Sequence, residues 1–266
     1  MSGPQYEVYA IKYAHHERRA SENFIGGDPH DGPMPLDYFV WLVRGEGREI
    51  VVDTGFSAAM AAKRKRDHIR CPTEGLKLLG TDASRVKDVV ITHLHYDHVG
   101  NFDLFPAATL HLQDLEMNYA TGRHMVQPVF QGAYEVEDVV GMVRRVYAGR
   151  VRFHDGDAEI APGVSVHLIG GHTMGLQVVR VATRRGWVVL ASDAAHFYAN
   201  MEQVRPFPIV FSVADMVEGY ARLRELADSP AHIIPGHDPL VLQRYPAAAG
   251  LPPLNSALQG IIARLD

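Results

Sequence analysis

The chain has one cysteine, Cys71, in 266 residues. A lone thiol cannot close an intrachain bridge, so a disulfide framework is excluded, and the sequence suits a reducing compartment with Cys71 as a buried, inert thiol. No apolar run approaches the roughly 20 residues of a membrane span. The opening Met1-Ser2-Gly3-Pro4-Gln5-Tyr6-Glu7 has neither the basic start nor the apolar stretch of a secretory signal. These absences predict a soluble, cytoplasmic protein. Positive charge is also scarce. The 26 Lys and Arg against 31 Asp and Glu give a net charge of −5, which offers nucleic acid or an anionic membrane no general attraction. Lys63-Arg64-Lys65-Arg66 is the local exception, and it reads as a solvated helix face.

What is present is ordinary for a folded chain: 47% hydrophobic and 21% charged residues. No linker, low-complexity tract or close repeat interrupts it, so one domain over residues 1–266, of sheets covered by helices, is the simplest architecture. Tyr38–Val43 and Glu49–Val52, either side of Arg44-Gly45-Glu46-Gly47, read as a hairpin, as do Gln177–Ala182 and Trp187–Ala191 around Thr183-Arg184-Arg185-Gly186. Ala58 to His68 and Glu74 to Leu79 have helical composition. Ser212 has capping-box spacing with Asp215, and Met216, Val217, Tyr220, Leu223 and Leu226 recur at helical intervals until Pro230 forbids continuation. The stretch from Tyr119 to Gly149 has no clean period and is expected to form helices and loops over a site.

The densest chemistry lies in Ile91-Thr92-His93-Leu94-His95-Tyr96-Asp97-His98-Val99-Gly100-Asn101, directly after the apolar run Val89-Val90-Ile91. Three imidazoles and a carboxylate within six positions suit Zn²⁺ or a similar borderline divalent ion. Four donors so close in sequence cannot easily close around one ion, which points to two metals completed from elsewhere. Three later apolar strands also end in a donor: His172 after Val164–Ile169, Asp193 after Trp187–Ala191, and His237 after Ile233-Ile234. Loops at strand ends are where layered folds gather residues distant in sequence.

His93-Leu94-His95-Tyr96-Asp97-His98, followed in order by His172, Asp193 and His237, resembles the metal signature of the metallo-β-lactamase superfamily. The likeness runs from about the Tyr38 hairpin to His237 and includes Asp53-Thr54-Gly55. It implies an α/β fold, the four-layer αβ/βα sandwich with two mixed sheets inside and helices outside. It also implies two divalent ions, with zinc the first choice. His93, His95 and His172 would hold one ion and Asp97, His98 and His237 the other, with Asp193 bridging. Asp53 is open to two readings, a turn-forming carboxylate or a partner that orients a metal-bound histidine.

Within that superfamily the chain is similar to the N-acyl-homoserine lactonases and their small-lactone relatives. Gly171-His172-Thr173-Met174-Gly175, Ser192-Asp193-Ala194 and Pro35-Leu36-Asp37-Tyr38 support the comparison. A substantial C-terminal substrate domain, as in glyoxalase II-like thioesterases, has little room in Asp238 to Asp266. The implied reaction is lactone opening by a metal-bridging hydroxide, with Asp97 passing a proton to the leaving alkoxide. Lactonases usually have a tyrosine three residues after the bridging aspartate, where this chain has His196. His196 would then donate to the oxyanion, or Tyr198 would supply the hydroxyl by a two-residue shift. The alternatives are another hydrolysis on the same metals, of an amide, thioester or phosphodiester, and a metal-dependent binding protein without turnover. The expected partner is a small-molecule substrate, with no nucleic acid and no membrane, and a homodimer is left open. Phe24, Ile25, Met125, Phe130, Phe197 and Phe207 are candidates either for an apolar pocket or for the core.

Overall fold

The computed structural model describes residues 3–251 and 261–266. Met1 and Ser2, which open the stretch read above as lacking a secretory signal, and residues 252–260 of the C-terminal tail lie outside the described residues.

The first sheet contains β1 (Glu7–His16), β2 (Leu36–Gly45), β3 (Arg48–Val52), β4 (Asp67–His68), β5 (Asp88–Val90), β6 (Thr109–Gln113), β7 (Val151–His154) and β13 (Ile262–Arg264). Its strand order is β13-β1-β2-β3-β5-β6-β7, with β4 paired to β1. The second sheet contains β8 (Ala158–Ala161), β9 (Val164–Leu168), β10 (Gln177–Thr183), β11 (Gly186–Ser192) and β12 (Ile233–Pro235), in the order β12-β11-β10-β9-β8.

Strand periodicity explains the layering. In β2, Phe39, Trp41 and Val43 join one hydrophobic core while Tyr38, Val40 and Leu42 join a second. Alternate side chains leave opposite faces of a strand, so a run apolar at every position is a strand buried on both sides. The first core fills the space between the sheets and reaches Met216, Tyr220, Leu223 and Leu226 of the Val213–Leu226 helix. The second lies on the far face of the first sheet, under helices that include Pro72–Leu78 and Val136–Tyr147. Helix, sheet, sheet and helix give the αβ/βα sandwich.

Several sequence expectations need correction. The Ala58–His68 helix ends at Arg64, because Lys65 is left-handed at φ 55° and residues 67–68 pair with β1 instead. Lys63 and Arg64 both reach Glu135, and Arg66 turns inward to the Tyr96 hydroxyl, so the basic run is only partly a solvated face. Cys71 is half-buried, with Sγ 3.2 Å from Thr73 Oγ1, where full burial was expected. The strands β7, β8 and β13 are too short to carry a readable period. Among the described residues no helix is long and apolar enough to cross a membrane.

Candidate metal centre

The strands β3, β5 and β6 run parallel, so their C-terminal ends open on one edge of the first sheet. Beyond β5 the chain stays extended long enough for His93 and His95 to share a side while Leu94 enters the core. The four-residue helix Tyr96–Val99 then turns Asp97 and His98 inward. From the second sheet, β9 leads to His172, β11 to Asp193 and β12 to His237, with β11 and β12 parallel. Two glycines allow the close approach. A Cβ on Gly171, at φ +82°, would lie 2.6 Å from the Met216 backbone nitrogen, and one on Gly236 would lie 2.7 Å from the Ser192 carbonyl oxygen and 2.9 Å from Asp193 Oδ1.

All seven donors expected from the sequence are buried and meet at this edge. Ligand atoms of His93, His95, His172 and Asp193 lie within 4.8 Å of one another, as do those of Asp97, His98 and His237. His95 Nδ1 is 3.0 Å from His93 Nε2 and 2.9 Å from His172 Nε2. Two nitrogens bound to one tetrahedral Zn²⁺ at about 2.0–2.1 Å would be about 3.3 Å apart, so the triad has nearly the spacing an ion requires. Asp193 stands between the groups. Its Oδ2 faces His172 Nε2 at 3.2 Å and His93 Nε2 at 3.7 Å, and its Oδ1 faces His237 Nε2 at 2.9 Å and His98 Nε2 at 3.3 Å.

The outer ring nitrogens decide whether a cation fits. His172 Nδ1 lies 2.7 Å from the Ile209 carbonyl, His237 Nδ1 2.8 Å from the Asp37 carbonyl and His98 Nδ1 2.7 Å from Asp53 Oδ2. Each outer partner only accepts, which assigns a proton to Nδ1 and leaves Nε2 as the nitrogen turned toward Asp193. An unprotonated Nε2 would bring its lone pair against the carboxylate oxygens, so positive charge, a proton or a metal ion, has to lie between them. His98 Nε2 and Asp193 Oδ1 indeed have no hydrogen-bond partner of acceptable geometry. Burial and the neighbouring imidazoles push the pKa values of His93 and His95 well down, leaving them neutral. Burial would do the same to His98, but Asp193, Asp97 and Asp53 outweigh it and raise His98 well above the usual range. The carboxylate side of the cluster therefore demands positive charge, and the donor set fits divalent ions.

Asp53 resolves toward the second of its two readings. It is fully buried and held at a positive φ of 61°, and it also accepts from Thr92 N and Thr92 Oγ1, both at 2.8 Å. Aspartate enters this conformation more readily than most non-glycine residues, and here three hydrogen-bond donors hold its side chain in place. Replacing Asp53 with Asn puts an amide where two donors already point. The expected result is a 10–100-fold loss of affinity for one of two bound metals, read by titration against a chromophoric chelator. Unchanged affinity for both would reject the orienting role.

Sequence reading missed Glu116, whose helical position gave no sign of function. Fully buried in the Asp114–Thr121 helix, it accepts from Leu94 N at 2.9 Å, Tyr134 Oη at 2.9 Å, Thr173 Oγ1 at 2.6 Å and Gly175 N at 3.2 Å. It thereby ties the His93–His95 segment to the loop that carries His172. The only local signal was a carboxylate one turn into a helix just after β6.

His196 and Tyr198 are placed differently from each other. His196 lines the cleft, stacked on Phe207 with ring centroids 3.7 Å apart, and its Nε2 is 3.1 Å from Asp193 Oδ2. Burial lowers its pKa to about 3, so it is neutral with a single N–H. That N–H faces Asp193 Oδ2, and the donation expected toward an oxyanion goes to the carboxylate instead. Tyr198 does not line the cleft. It packs in the first hydrophobic core, with the Arg244 guanidinium 3.7 Å from its ring centroid, so the two-residue shift is not realised. Of the six apolar candidates only Phe207 lines the cleft; Phe24 and Phe197 are buried elsewhere.

The Metallo-beta-lactamase superfamily model matches residues 34–244. An N-acyl homoserine lactonase AttM from Rhizobium johnstonii is 30% identical over 182 residues, 65% of this chain and 66% of that protein. One from Azorhizobium caulinodans is 29% identical over 250 residues, 84% of this chain and 89% of that protein. Among solved structures, an N-acyl homoserine lactone hydrolase with N-hexanoyl-L-homoserine bound at its catalytic metal center superposes with a TM-score of 0.75 at 21% identity, covering 91% of this chain and 97% of that one.

Proposed function

The chain belongs to the metallo-beta-lactamase superfamily, and from that premise we propose that it is a dinuclear metal-dependent hydrolase that opens a lactone ring. The observation that carries the reading is Asp193, one oxygen toward His93 and His172 and the other toward His98 and His237. In this proposal His93, His95 and His172 hold one ion, Asp97, His98 and His237 the other, and Asp193 joins them. Zinc is the first choice because the set is imidazole and carboxylate in a tight, buried pair of sites. Divalent ions held there supply Lewis acidity and lower the pKa of water to about 7.

The remaining work falls to the chain. Asp97 is 8% exposed at the cleft, and Tyr13 Oη donates to its backbone carbonyl at 2.8 Å, which fixes its place. Its carboxylate is the group that carries a proton from the attacking side to the departing alkoxide. His196, packed on Phe207, keeps Asp193 oriented through Nε2 and narrows the cleft. The lactonase names of the relatives favour a cyclic ester over the amide, thioester and phosphodiester alternatives.

The expected outcome is ring opening of small lactones with one acid equivalent released per turnover. The activity is abolished by a chelator and restored by added zinc, with about two metals per active chain. A lactone panel that stays intact while thioesters or phosphodiesters are cleaved rejects lactone hydrolysis, and full activity in metal-free protein rejects the whole proposal.

A further inference from the structure

The cleft is lined by three arginines, Arg18, Arg64 and Arg66, beside Tyr38, Tyr96 and the donor residues. They come from two separate places, Arg18 from the loop after β1 and the other two from the end of the Ala58–Arg64 helix and the turn after it. Arg64 is committed elsewhere: its guanidinium pairs with Glu135 at 2.7 Å and lies 3.9 Å over the Tyr96 ring.

Arg18 and Arg66 differ from it. Arg18 donates to Asn23 Oδ1 and the Glu22 carbonyl, both at 2.7 Å, and Arg66 to Tyr96 Oη at 3.2 Å and the Arg64 carbonyl at 2.7 Å. Both are partly buried, and among the described residues neither has a carboxylate within ion-pair distance. The undescribed residues, 1–2 and 252–260, contain no Asp or Glu that could supply one. Of the cleft-lining residues only Asp97 and Asp193 are acidic, and both belong to the donor set. Nearby His16 responds to the same field: burial first, then Arg66 and Arg18, lower its pKa to about 4.

Half-buried guanidinium groups are costly without a counter-charge, and their forked donors match the oxygens of carboxylate or phosphate. The apolar lining is meanwhile thin: Leu36, Phe207 and Ile209, with Ala133 and Gly132. A long acyl chain would find little surface to bury against.

Resting on the lactone-opening reading above, we propose that the natural substrate is a compact lactone bearing an anionic group, carboxylate or phosphate, seated against Arg18 and Arg66 while the ring ester meets the donor cluster. Tyr38 and Tyr96, whose hydroxyls are 3.1 Å apart and of which Tyr96 meets Arg66, line the same cleft as the two arginines. Arg18 and Arg66 are thus specificity-determining residues that select for charge in the cleft.

The test uses metal-loaded enzyme on three γ-lactones of one skeleton: a ring carboxylate, its methyl ester and a phosphomethyl derivative. The carboxylate or the phosphate is expected to exceed the ester in kcat/KM by at least about ten-fold, and which of them does so identifies the anion. Arg18→Gln and Arg66→Gln, made separately, are expected to cut the anionic substrate at least ten-fold more than the ester, mainly through KM. Turnover of the ester shows that each variant has folded, and two independent positions keep the test open if one variant folds poorly. An ester equal to or better than both anionic substrates overturns the proposal, as does a parallel fall on charged and neutral substrates. If no lactone is opened, the reaction reading fails separately, and calorimetry with inorganic phosphate and succinate decides the anion site. Binding that both substitutions weaken sustains it; absent binding, or binding neither substitution changes, removes it.

Discussion

Asp193→Ala is expected to lower kcat/KM on any substrate by more than about a hundred-fold, the upper end of what loss of an outer-shell partner costs a metal site. It should also reduce the bound metal from about two ions per chain to one or none. The Asp193 carboxylate faces both histidine groups. Its two oxygens approach His172, His93, His237 and His98 at 3.2, 3.7, 2.9 and 3.3 Å. Removing it leaves two cations, if they bind at all, with no shared negative charge to offset their repulsion. The carboxylate is well suited to that place. Burial alone would raise its pKa, but His196, His237, His98 and His172 hold it well below the usual carboxylate range, so it stays ionised. Asp193→Asn separates charge from shape, since it keeps the volume and one acceptor oxygen. It is expected to retain the fold and still lose metal. Elemental analysis and steady-state rates on both variants check this, and full metal content with full activity in Asp193→Ala would reject the bridging assignment.

Glu116→Ala is expected to be the most destabilising single change near the site, although Glu116 meets none of the donor atoms in the two clusters. Two of its four hydrogen-bond donors are hydroxyls that can turn toward other partners. The other two, Leu94 N and Gly175 N, are backbone groups that cannot. A buried donor left unpaired costs about 1–3 kcal/mol, so the pair alone gives roughly 2–6 kcal/mol. A chain of this size loses about 2–4 °C of Tm per kcal/mol, and a fall near 10 °C is the expected reading in thermal unfolding. Because Leu94 lies between His93 and His95, and Thr173-Met174-Gly175 follows His172, the same change should also loosen the three-histidine group. Glu116→Gln keeps the side-chain shape but replaces one acceptor with an amide that faces further donors, so an intermediate loss is expected. A variant with unchanged Tm and metal affinity would show that the carboxylate is dispensable.

These two residues mark where sequence reading succeeds and where it stops. Asp193 could be read because it ends an apolar strand, as His172 and His237 do, and because a strand end is a defined place in a layered sheet. Glu116 could not. Its partners come from three segments, and nothing in Asp114-Leu115-Glu116 distinguishes it from an exposed helical carboxylate. Tyr198 shows the same limit from the other side. Counting from Asp193 made it a neighbour of the site, but the Tyr198–Glu202 helix begins at that residue and directs the ring into the core. The Lys63–Arg66 run departs from a solvated face for a related reason: whether a basic residue meets solvent or a cleft depends on how the helix ends, and Lys65 ends it with a left-handed turn.

By itself, the sequence determined the donor types, their order and a domain of sheets covered by helices. Period-two burial and the local His93-to-His98 spacing are properties of consecutive residues and survive without knowledge of contacts. Only the tertiary structure decided that Asp193 divides its oxygens between two groups, that Glu116 ties two loops together, and that Arg18 and Arg66 face the cleft without a carboxylate partner. Each of these is a relation between side chains far apart in sequence. Its energy depends on distance and burial through the space between the sheets, and separation along the chain does not encode either one.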